Sequence, residues 1–129
     1  MLRQRTPLRG VFNVATAKQR YLSRVLVKKH GIIGVVASRY VEAGYSVELF
    51  HSTRKGPVQI LARKGGVIAV EVFDKGIVTL DAVKAFHEKT KVLRAKPVVV
   101  LYGSGVALSE EAKAYCNENG IKVKRLLVE

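Results

Sequence analysis

The chain is 129 residues long, enough for one domain with a core of its own and too little for two. With 48% hydrophobic residues it is not a disordered polymer, and no apolar run approaches the roughly 18 residues of a membrane span. A formal charge of +13 and a pI near 10.2 exceed what solubility needs and favour polyanionic partners.

The charge is uneven along the chain. Met1 to His30 holds eight basic residues (Arg3, Arg5, Arg9, Lys18, Arg20, Arg24, Lys28, Lys29) and no acid. The other 15 basic and 10 acidic side chains contribute only +5. Residues 1–30 therefore form a basic arm ahead of a domain at 31–129. The arm is either a solvated end or, because apolar residues interleave with the basic ones, an ordered segment for phosphate contacts. Its acid-free start also has the composition of a transit peptide, without the cleavage pattern, and no apolar stretch follows it as in a secretory signal. The single cysteine, Cys116, cannot bridge internally, so a reducing, cytoplasmic location beside the nucleoid is expected. Cys and His spacing assembles no zinc site.

The first periodic segment, Ala15 to His30, suits a helix with Tyr21, Leu22, Val25 and Leu26 on one face and Arg20, Arg24 and Lys28 on another. Its β-branched and aromatic content leaves a strand open. Gly31 breaks the pattern. A second helix over Ile33 to Ala43 offers Val36, Tyr40 and Ala43 for burial and ends at Gly44. Tyr45 to Phe50 alternates as a half-buried strand does, and Ser52 to Pro57 is a loop. Val58–Arg63 and Val67–Phe73 are two strands joined at Lys64-Gly65-Gly66, a hairpin signal. A three-residue loop there pairs Arg63 with Val67, and hence Gln59 with Glu71.

Beyond Lys75-Gly76, Val83, Phe86, Thr90 and Leu93 repeat at helical spacing, with Thr79 placed to cap and Lys96-Pro97 to terminate. Val98 to Tyr102 is a continuous apolar run, suited to a strand covered on both faces. Ser109 caps the next helix, Glu110 and Glu111 suit its positive end, and Gly120 ends it. Ile121 to Val128 is a last strand, with Lys122 and Lys124 discouraging edge pairing. The order of elements predicts an α/β domain, one mixed five-stranded sheet flanked by helices.

The hairpin and its surroundings carry the most specific signal. "VQILARKGGVIAVEVFDKG" (58–76), with "ASRYVEAGYSVELF" (37–50) before it and "KPVVVLYGSGVALSEEAKAYCNENGIKVKRL" (96–126) after it, resembles the PD-(D/E)xK, or restriction-endonuclease-like, nucleases. The later part is similar to the archaeal Holliday-junction resolvases and Mrr-type restriction proteins. The resemblance implies a core of order α-β-β-β-α-β-α-β. In such nucleases an Asp on one strand and the acid of an (Asp or Glu)-x-Lys on the next hold Mg²⁺, which polarises the scissile phosphate, while the lysine helps orient or activate the attacking water. Carried over to this chain, the site is depleted. Gln59 stands for the Asp, Glu71 is retained, Phe73 stands for the Lys, and Gly34 occupies the loosely aligned position of a helix acid. A neutral amide offers no charge, and phenylalanine neither donates a proton nor stabilises an oxyanion.

The expectation is thus a nucleic-acid-binding protein, DNA before RNA, with a degenerate nuclease fold, no catalytic residues and no metal or other cofactor. The basic arm and the loop cations Arg54 and Lys55 would meet phosphates, although a plain solvated turn explains that loop equally well. A homodimer is implied by the resolvases. Three alternatives stay open: a Mg²⁺-dependent endonuclease rebuilt around Glu71, Asp74 and Lys75 by a bulge at Phe73, with Glu48 and His51 nearby; an RNA-binding protein; and a protein-interaction subunit. Asp74-Lys75-Gly76 otherwise reads as a polar turn into the following helix. Gly103-Ser104-Gly105 lacks the third glycine of a dinucleotide fingerprint and the Gly-Lys-Ser/Thr of a P-loop, so it reads as a tight connection. His30, His51 and His87 are scattered, and Cys116 reads as a small core residue.

Overall fold

The computed structural model describes residues 17–127, apart from the side chain of Leu26. Arg3, Arg5, Arg9, the expected helix start at Ala15 and the expected strand end at Val128 lie outside them. The described residues fall into two compact units, one reaching to Ser46 and one running from Val47.

In the first unit α1 spans Ala17–Glu42 and is interrupted at Gly31, whose φ of 57° and ψ of −130° are open to glycine and strained for other residues. Ser23 and Ser38 show how sharp the break is. In a straight helix their 15-residue separation corresponds to about 22 Å. Instead the Ser23 hydroxyl donates to the Ser38 carbonyl at 3.3 Å, so the two halves double back on each other. Both serines are buried, as are Val36, Ala37 and Val41. The expected apolar face of the first half is not the buried one. Tyr21 is 60% exposed and Leu22 41%, because the doubling turns the small Ser23 inward. The second half ends at Glu42, with Gly44 following at φ 94° and the Tyr40 and Tyr45 rings meeting edge to face at 5.3 Å.

The second unit is built on a sheet of five strands in the order β1-β2-β3-β5-β7: β1 (Ser46–His51), β2 (Val58–Arg63), β3 (Val67–Phe73), β5 (Lys96–Tyr102) and β7 (Lys122–Leu126). β2 and β3 are antiparallel, while β3, β5 and β7 run parallel, so the sheet is mixed as expected. Arg63 pairs with Val67 across the Lys64–Gly66 loop, which Gly65 closes at φ 70°.

The parallel strands require crossovers, supplied by α2 (Leu80–Leu93) and α3 (Glu110–Glu118). Thr79 and Ser109 cap them, each accepting from the backbone N–H three residues on, at 3.2 and 3.1 Å. Leu61, Ala69, Val99 and Leu101 of the sheet meet Val83 and Phe86 of α2 and Ala112 and Cys116 of α3 in one core. Phe86 is its largest fully buried side chain, and truncation to Ala there costs about 3–5 kcal/mol. Burial raises the pKa of the Cys116 thiol, in keeping with a packing role.

Two short strands have no counterpart in the sequence-based expectation. β4 (Gly76–Val78) and β6 (Val106–Leu108) pair in parallel as a separate two-stranded sheet. Asp74-Lys75-Gly76 therefore leads into β4 rather than directly into a helix. Three residues are too few for any alternation to show. Arg125 of β7 ties this small sheet to the large one by donating to the carbonyls of Gly103 and Val106.

Candidate functional site

Side chains alternate across a strand, so Glu71 and Phe73 share the β3 face that carries Ala69 into the α2 and α3 core. The β2–β3 ladder runs from Arg63↔Val67 to Ile60↔Val70, and one further step opposes Gln59 to Glu71. At that step the Gln59 side chain turns to the backbone. Its Oε1 accepts the Val72 N–H at 2.8 Å. Phe73 pairs with Leu101 of β5 and packs against the core. The ladder is regular through Phe73, so the bulge needed to turn Asp74 or Lys75 toward Glu71 is not formed, and both residues are exposed.

Glu71 lies half-buried in this setting. Its Oε1 is shielded from solvent and has no hydrogen-bond partner among the described residues. Burial raises its pKa above the ordinary carboxyl value, opposed by the charge of Lys89 and by the Gln59 backbone. Lys89 belongs to α2, and its Nζ donates to the Pro57 carbonyl at 2.9 Å. The sequence reading passed over this residue. The available signal was its place three residues after Phe86, on the flank of the buried stripe of α2.

Just before Pro57 the chain makes a tight, self-bonded turn. The Thr53 N–H donates to the Gly56 carbonyl at 3.2 Å and the Gly56 N–H to the Thr53 carbonyl at 3.0 Å. The Thr53 hydroxyl donates to the Gly56 carbonyl at 2.7 Å and accepts the Lys55 N–H at 3.1 Å. Gly56 has a φ of 116°, and a Cβ there would stand 3.3 Å from Lys89 Cε, so the end of the Lys89 side chain lies against the turn. Arg54 and Lys55 form its tip. Both are exposed, with no ion-pair partner among the described residues.

The remaining candidates do not converge. Glu48 is held on the surface by His51 Nδ1 at 2.7 Å and Arg63 Nη1 at 3.4 Å, which keep its carboxyl below the usual range. His87 is buried, with Nδ1 2.7 Å from the Tyr115 hydroxyl. His30 and the buried Gly34 lie within α1. The backbone of the Gly103-Ser104-Gly105 connection is already engaged: Gly103 N–H donates to Leu126 and Gly105 accepts from Gly76. Among the described residues no three His, Cys, Asp or Glu side chains are grouped to hold a metal ion. None of their helices is long and apolar enough to cross a membrane. Lys18, Arg20, Arg24, Lys28 and Lys29 are all exposed along the first half of α1.

No family model matches the chain. No curated protein matches it either. Solved structures do. A repair endonuclease from Pyrococcus abyssi is 17% identical with a TM-score of 0.58, over 84% of this chain and 46% of that one. EndoMS in a complex with double-stranded DNA is 16% identical with a TM-score of 0.55, over 92% of this chain and 48% of that one. The protein of unknown function AF1548 is 15% identical with a TM-score of 0.54, over 84% and 56%. The chain thus spans about half the length of these structures. At such low identity the likeness establishes the fold, a restriction-endonuclease-like α/β core, and nothing finer.

Proposed function

We propose that this protein binds DNA through phosphate contacts and does not cleave it. Mg²⁺ demands near-octahedral oxygen coordination and is usually anchored by one or two carboxylates plus substrate phosphate. At Glu71 the groups present are one half-buried carboxylate, an amide oxygen already taken by Val72 N–H, and an aromatic ring two residues on. A lysine charge acts on that same carboxylate. This set does not fit a divalent cation, and no metal-assisted step is assigned to it.

What the fold offers instead is positive charge on ordered backbone. The 53–56 turn is pre-shaped by its own hydrogen bonds, so Arg54 and Lys55 lose little entropy in meeting phosphates. The exposed cations of α1, with Arg3, Arg5 and Arg9 before it, add to the non-specific attraction. The nuclease fold, and the presence of DNA in one structure of that fold, support DNA as the polyanion. The commitment of the Gln59 oxygen to the backbone is the observation that carries the reading. A homodimer belongs to the same proposal and is checked by light scattering.

The test pairs a binding titration with a cleavage assay on linear and branched DNA and on duplex RNA, with Mg²⁺ or Mn²⁺ present. Binding that weakens steeply with salt, without cleavage products, is expected. Cleavage that vanishes in Glu71→Ala, or affinity indifferent to salt, refutes the reading. Preference for the RNA duplex refutes DNA as its target.

A further inference from the structure

A carboxylate removed from water is costly unless it is hydrogen-bonded or met by positive charge. Glu71 Oε1 is removed from water and has no hydrogen-bond partner among the described residues. Positive charge reaches this carboxylate from Lys89 of α2, at longer range rather than as an ion pair, and offsets part of the cost of burial. Lys89 follows the fully buried Phe86 by three residues, which brings its stem onto the side of α2 that meets the sheet. Its ammonium is fixed on the Pro57 carbonyl at 2.9 Å, two residues before Gln59, the residue opposite Glu71. An ammonium has three donors, so one bond to Pro57 leaves its charge and two donors available. The same side chain lies against Gly56, at the base of the Arg54–Lys55 turn.

We propose that Lys89 stands in for a divalent cation at this site: it offsets the charge of the half-buried Glu71 carboxylate and, through Pro57, holds the Arg54–Lys55 turn in its binding position. The charge pairing stands on its own, while the role of the turn rests on the proposed nucleic-acid reading. Lys89 is a positioning residue here. It acts on phosphate through the turn and meets no phosphate itself. Metal ions are then superfluous to both stability and binding.

Four variants test this by thermal unfolding and by fluorescence anisotropy with a DNA duplex: Lys89→Met, Lys89→Arg, Glu71→Gln and the Lys89→Met/Glu71→Gln double. Lys89→Met leaves a buried charge unmatched and lowers the unfolding temperature by about 5 °C or more. The double variant regains at least half of that loss, and Lys89→Arg keeps the wild-type value. Lys89→Met weakens binding about fivefold with the salt slope unchanged, because order is lost and no phosphate contact is. Wild-type unfolding is the same in EDTA and in Mg²⁺ at matched ionic strength. Additive losses in the double variant, or a Mg²⁺-dependent rise for wild type, overturn the proposal. A changed salt slope in Lys89→Met overturns the positioning role. Coupling between Lys89 and Glu71 with no nucleic acid bound by any variant refutes the binding function and leaves the pairing intact.

Discussion

Replacing Arg54 and Lys55 together by alanine separates charge from shape at the proposed interface. The two cations share the tip of one turn, are exposed, and have no ion-pair partner among the described residues, so each is free to neutralise one phosphate. Each phosphate contact contributes about 0.9 to the slope of log affinity against log salt, and two contribute about 1.8. Between about 50 and 200 mM salt that difference amounts to roughly one power of ten. The advantage of wild type over the Arg54→Ala/Lys55→Ala variant therefore shrinks about tenfold across this range. Anisotropy titrations of a labelled duplex at three or four salt concentrations measure it directly. Thr53→Val supplies the contrast, since it removes the hydroxyl that donates to Gly56 and accepts from Lys55 N–H. It disorders the turn at a cost of about 1 kcal/mol, a loss of about fivefold in affinity at every salt concentration. Parallel lines for wild type and the double variant refute the assignment of phosphate contacts to this turn.

The remaining expectations concern the frame behind the turn. Gln59→Leu leaves the Val72 N–H without its acceptor and costs about 1–3 kcal/mol in denaturant unfolding; an unchanged midpoint shows that the bond contributes nothing. Gly31→Ala meets no neighbouring atom yet forces a side chain into φ 57°, ψ −130°, at a cost of about 1–3 kcal/mol by the same measurement. Burial, with Lys91 adding to it, holds the His87 pKa below its ordinary 6.5. The unfolded chain then gains a proton first as pH falls, so stability present above 6.5 is lost on descent through the folded value. Unfolding temperatures measured from neutral to mildly acidic pH decline accordingly, and His87→Phe flattens the decline.

Where local chemistry dictates structure, the sequence was a sufficient guide. The Lys64-Gly65-Gly66 loop set the β2–β3 register, Thr79 and Ser109 marked two helix starts, and the apolar run after Pro97 marked an inner strand. What escaped depends on distant parts of the chain meeting. β4 and β6 are defined only by each other, across 27 intervening residues (79–105). The inward face of early α1 follows from the doubling at Gly31, which favours a small Ser23 over Tyr21. At the candidate site the replacement chemistry of Gln59 and Phe73 was visible in the residue types. The bond from Val72 N–H to the Gln59 oxygen and the approach of Lys89 were not, because they depend on where the ladder ends and how α2 lies on the sheet.

The clasp formed by Arg125 bears on how the protein breathes. A two-stranded sheet of three-residue strands has little stability of its own, and this one is fastened to β7 through the carbonyls of Gly103 and Val106. Amide protons in Gly76–Val78 are thus guarded by a guanidinium more than forty residues away in the chain. Their exchange with deuterium should keep pace with the opening of β7, making the smallest element of the fold a reporter on its edge.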